Sequence, residues 1–143
     1  MESLHHLLLK TYTQGNRRIS HEAASLGLSP GQPKILECLL QCGELHQKAI
    51  ADSCEIEPAT VGSILLRMER DGLIQRTQRV GDRRSLYVSL TPKGEAVSRR
   101  IEDIFRQIDL LASSRLSMEE QIQLRSLLET VCSAISSSGE ETA

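Results

Sequence analysis

Asp82, Arg83 and Arg84 stand together in the run VGDRRSLYVSLTPKG, between a glycine and an alternating apolar stretch. Adjacent arginines at a turn are suited to phosphate, because each guanidinium is a rigid fork of donors that matches anionic oxygens. An aspartate beside them weakens attraction to a polyanion unless it orients an arginine through a charge-assisted hydrogen bond. A second set lies upstream. Pro58, Ala59, Thr60 and Ser63, with Arg67 a turn further on, fall opposite an apolar stripe of Val61, Ile64, Leu65 and Met68. Ala59 and the Thr60 methyl suit a thymine methyl, Ser63 can hydrogen-bond several bases, and Arg67 suits guanine or a phosphate. Gln47 and Lys48, earlier in the chain, are of the type that contacts the nucleic-acid backbone.

The charge balance supports a polyanion without deciding it. The formal net charge is −2. From Arg67 to Arg100, however, there are nine Lys/Arg against four Asp/Glu, leaving eight against fifteen elsewhere. A basic segment inside an acidic chain is an electrostatic footprint, or else a solvated face.

These residues need elements to hold them. Hydrophobic residues make up 39% of 143 residues, with one Phe, two Tyr and no Trp, so the core is expected to be aliphatic. Leu4, Leu7, Leu8 and Tyr12 mark a first helix, followed by polar GNRRIS and a short apolar piece. Ser29-Pro30 reads as a cap and first turn of a helix burying Ile35, Leu36, Leu39 and Leu40. HQKAIADSC is a short helix, and Glu57-Pro58 opens another that stops at Gly72. Two such helices joined by a few residues outline a helix-turn-helix. LIQRTQRV and SLYVSL then alternate as a half-buried hairpin, and Thr91-Pro92 starts a further helix. The order predicts a mainly α fold with a small β-hairpin, a winged helix-turn-helix flanked by N- and C-terminal dimerisation helices. It reads as a single domain over 1–143, with the DNA-binding lobe at about 30–95, dimerisation helices at 1–28 and 96–136, and a disordered tail at 137–143.

The stretch IADSCEIEPATVGSILLRMERDGLIQRTQRVGDRRSLYVSLTPKG resembles the MarR/SlyA family of bacterial transcription regulators. Its wing signature is Asp82, Arg84, then Leu90, Thr91 and Gly94. Two departures stand out: Glu55 replaces the usual turn glycine, and Gly62-Ser63 replaces a polar residue and an arginine. The resemblance implies a homodimeric repressor on a pseudo-palindromic operator in double-stranded DNA, with a small-molecule effector of unknown identity. By the same resemblance Arg84 enters the minor groove, Asp82 holds it, and Arg83, Arg76 and Arg79 contact phosphates.

The same residues admit other readings. The motif could serve as a winged-helix protein-interaction module, or the regulator could sense redox or metal through Cys38 and Cys42, four apart on one helix face, although Cys38, Cys42, Cys54 and Cys132 read first as reduced thiols. No CxxC pair or zinc-finger spacing supports metal, no cofactor is expected, and no aromatic effector pocket is evident. The relatives that sense peroxide carry a cysteine near the start of the first long helix, where this chain has none. Catalysis is not expected, since there is no phosphate loop, GxSxG or pair of catalytic acids. No apolar run reaches the roughly 20 residues that span a bilayer, so a cytoplasmic protein without membrane contact is expected.

Overall fold

The computed structural model describes residues 1–79 and 81–140, except for the side chains of residues 79, 82–85 and 140. In chain order the elements are α1 (Leu4–Ala24), α2 (Gln32–Cys42), β1 (Leu45–His46), α3 (Gln47–Cys54) and α4 (Pro58–Arg70). They continue with β2 (Ile74–Arg79), β3 (Asp82–Leu90), α5 (Pro92–Ser113) and α6 (Met118–Glu140). One compact unit covers Met1–Ile108, and a second begins at Asp109.

The core of the first unit is aliphatic, as its composition requires. Ile35 and Leu36 of α2, Ile50 of α3, Val61, Leu65 and Met68 of α4, Val88 of β3 and Ile101 of α5 are all fully buried. The sheet is antiparallel in the order β1-β3-β2. The hairpin expected from alternation is there, with Ile74 opposite Leu90 and Arg76 opposite Val88. Its third strand was not foreseen: Leu45 pairs with Val88 and His46 with Tyr87. Two residues are too few to show a period.

Local chemistry sets the helix ends. α2 starts at Gln32 rather than at Pro30, because Gly31 takes φ 88° and the first-turn proline is Pro33. A Cβ on Gly31 would lie 2.7 Å from Ile64 Cδ1, so this turn packs directly on α4. Gln32 closes the turn by accepting from the Ser29 amide at 3.1 Å. α1 runs unbroken through Gly15 and the polar GNRR, of which Asn16, Arg17 and Arg18 are exposed. The Ser113–Ser114 break is real, and Ser117 with Glu120 forms a reciprocal capping box for α6 (2.8 and 3.2 Å). α6 continues past 137, where composition had placed the start of the tail, to Glu140.

Thr91 fastens the start of α5 to the end of α4. Its hydroxyl accepts from Gly94 N at 3.0 Å and donates to Gly72 O, while its amide donates to Leu73 O at 3.1 Å. Lys93 Nζ reaches Asp71 O at 2.8 Å. The signature residues Thr91 and Gly94 therefore join α5 to the base of the wing.

Glu55 sits at the α3–α4 turn with φ 55° and ψ 44°, the left-handed region that costs a side-chain-bearing residue about 1 kcal/mol or more. Glu55→Gly is expected to raise unfolding free energy by about 1 kcal/mol in urea denaturation. A drop in stability would mean that the Glu55 side chain, not its backbone, matters at this turn.

Candidate nucleic-acid interface

The α3–α4 pair presents the surface that the sequence singled out. Burial of Val61, Leu65 and Met68 turns the opposite face of α4 outward, and Pro58, Ala59, Thr60, Ser63 and Arg67 are all exposed there. Ser63 Oγ donates weakly back to Ala59 O at 3.4 Å, so its lone pairs and rotation stay available. On α3, Lys48 is exposed and Gln47 half-buried. His46 Nδ1 accepts from Ala49 N at 3.2 Å and caps that helix, while its ring stands edge-on to Tyr87 of β3 at 6.0 Å. The start of α3 is thereby held against the wing.

Leu66 was missed. It is 61% exposed on α4, off the buried stripe and two turns from Ala59. An apolar residue on the outward side of a helix with small neighbours suits a thymine methyl. Its position five residues after Val61 was the available signal.

Arg76 sits differently from the arginines of a phosphate contact. Its side chain is 14% exposed, with Nε 3.4 Å from Glu69 Oε2 near the end of α4. Among the described residues, Nε and Nη2 are buried without a hydrogen-bond partner, the Glu69 contact being an ion pair of poor hydrogen-bond geometry. The reason lies in strand periodicity: Arg76 shares the face of Ile74, which is buried, and stands opposite buried Val88. The guanidinium ties the wing strand to α4. Arg76→Ala is accordingly expected to lower thermal stability and leave the salt dependence of DNA binding unchanged. A fall of about one in the slope of log K against log salt would instead place it on a phosphate.

At the wing tip the backbone of Arg79 pairs with Asp82 across a register shift after Gln78. The side chains of Arg79, Asp82, Arg83 and Arg84 fall outside the described residues, as does Val80.

Behind α4 lies a cavity of about 700 Å³. Its walls include Tyr12 of α1, Lys34 of α2, Glu55 of the turn, Thr60 and Ile64 of α4, and Phe105 of α5. Two of the chain's three aromatic rings thus meet at one cavity, which corrects the expectation of no aromatic pocket. Lys34 Nζ lies 5.6 Å from the Tyr12 ring centre. The recognition-type helix therefore forms part of the cavity wall.

Cys38 and Cys54 are buried, and Cys42 and Cys132 exposed. Burial, then the neighbouring Cys38, pushes the Cys54 thiol up to about 12. Cys38 also raises Cys42, chiefly through its charge. Only the thiolate is a good nucleophile, so the buried Cys54 is poorly reactive near neutral pH. Among the described residues, no group of three or more His, Cys, Asp and Glu is placed to hold a metal. Among them, too, no helix is long and apolar enough to cross a membrane.

Known proteins share this arrangement. The MarR family model matches residues 28–86, the span from the connection between α1 and α2 into β3. The transcriptional regulator HosA of Escherichia coli is 30% identical over 116 residues, covering 81% of this chain and 84% of HosA. The chain belongs to the MarR family. Within reach of that family is also the homoprotocatechuate degradative operon repressor of Escherichia coli, 42% identical over 81 residues. That match covers 54% of this chain, which spans about half (51%) of that repressor's length. The S. aureus MepR–DNA complex superposes with a TM-score of 0.87 over 94% of this chain and 99% of MepR. At 24% identity that likeness speaks for the MarR fold alone.

Proposed function

We propose that this chain is a DNA-binding transcription regulator, acting as a homodimeric repressor on a pseudo-palindromic operator. The observation that carries this reading is the exposed, small-residue face of α4, a helix that packs on both α3 and strand β2 of the wing. Such a helix can lie deep in a major groove with its N-terminal residues at base edges. The wing would add minor-groove contacts, where an arginine meets enhanced negative potential. The relatives HosA and the homoprotocatechuate repressor, named as a regulator and a repressor, support the same role.

Two features support a dimer. α1 leaves Leu4, Leu7 and Tyr12 exposed. In the second unit, Ile122, Leu124, Leu127, Leu128 and Ile135 of α6 are exposed as well. Among the described residues α6 buries none fully, and a helix this apolar is stable in water only when another surface covers it. The 700 Å³ cavity is of the size that holds a small organic ligand. A ligand touching Thr60 and Ile64 would shift α4 and alter the spacing of the two recognition helices. Half-sites about one helical turn apart would then be gripped less well.

The test pairs sedimentation with a gel shift on the DNA flanking the chain's own gene. A dimer that retards one intergenic fragment is the expected result. A chain that binds no duplex at low salt would instead favour a winged helix used as a protein-interaction module.

A further inference from the structure

Gly62 lies in the interior of α4, where glycine costs about 1 kcal/mol relative to alanine. Something therefore gains from the missing side chain. A Cβ at this position would lie 3.1 Å from Gln47 Nε2, so the amide of the first α3 residue occupies that space. Gln47 is half-buried, and among the described residues its amide makes no hydrogen bond. On α4, Gly62 is three residues from Ala59 and four from Leu66, both exposed, so these share one row. The amide rests at the edge of the face that would meet base pairs.

The exposed residues at the start of α4 discriminate weakly. Pro58 and Ala59 offer no polar side-chain group, and Thr60 and Ser63 each offer one hydroxyl, which accepts several bases. A free carboxamide is different, because its carbonyl and amino groups together match adenine N6 and N7 as a bidentate pair. A phosphate would use only the donor half. We infer that Gln47 reads an adenine beside the recognition helix, through the slot that Gly62 opens in α4. This assignment rests on the DNA-binding reading above and adds to it a specificity residue carried by the first helix of the pair.

The probe is a pool of randomised duplexes selected with the wild-type dimer, followed by affinities for the selected duplex and its single base-pair variants. Gln47→Ala is expected to bind the selected duplex roughly 5- to 100-fold more weakly. It should also lose the preference for A·T at one position per half-site. The slope against salt should stay the same, since an amide releases no counterion. Gly62→Ala should raise the melting temperature yet erase the same preference by displacing the amide. The double variant should then lose nothing more. A uniform loss across all duplexes in Gln47→Ala would overturn the inference and make Gln47 a backbone contact. An intact A·T preference in either single variant would overturn it as well. If the wild type selects no sequence at all, the DNA-binding reading falls with it, which separates the two failures.

Discussion

Gly94→Ala is expected to lower the unfolding free energy by about 3 kcal/mol or more, among the largest effects of any single methyl group in this chain. A Cβ on Gly94 would lie 1.9 Å from Leu73 O and 2.9 Å from Leu73 C, both backbone atoms that cannot swing aside. Relief would require α5 to withdraw from the turn after α4. Withdrawal would strain three further contacts at once: Thr91 N to Leu73 O, Thr91 Oγ1 to Gly72 O, and Lys93 Nζ to Asp71 O. These contacts set where the wing leaves α4, so DNA affinity should fall with stability. Urea denaturation of the two proteins measures the effect, and a difference below about 0.5 kcal/mol would contradict the close approach.

The second large effect belongs to the wing. Arg84→Ala is expected to weaken operator binding by about 1–3 kcal/mol, which is roughly 5- to 150-fold. The loss should be greatest on duplexes with an A-tract at the wing position, since a narrow minor groove concentrates negative potential. Arg83→Ala should behave differently, weakening all sequences alike and lowering the salt slope by about one. Anisotropy titrations at several salt concentrations separate the two. Equal behaviour of the two variants would remove the assignment of Arg84 to the groove.

Much of this was legible in the residues because two periodicities carry it. The α4 stripe of Val61, Leu65 and Met68 and the alternation of Leu86, Val88 and Leu90 gave the recognition helix and the wing. The same alternation held the orientation of Arg76: two residues after buried Ile74, a strand side chain returns to the inner face. Reading Arg76 by charge alone passed over that. Other features depend on contacts between distant segments. Gly31 against Ile64 moves the start of α2, and Gln47 against Gly62 gives a mid-helix glycine its purpose. The meeting of Tyr12 and Phe105 at one cavity likewise has no local pattern, since they lie on different helices. Strand β1 escaped for the simplest reason, having only two residues.

The most direct test of the central claim is the affinity of the full chain for duplex DNA selected from its own intergenic region. It should be measured against a scrambled duplex across a salt series. The account predicts that the selected duplex binds at least about 10³-fold more tightly than the scrambled one at physiological salt, with affinity falling steeply as salt rises. Equal affinity for the two duplexes, or no binding even at low salt, would contradict it.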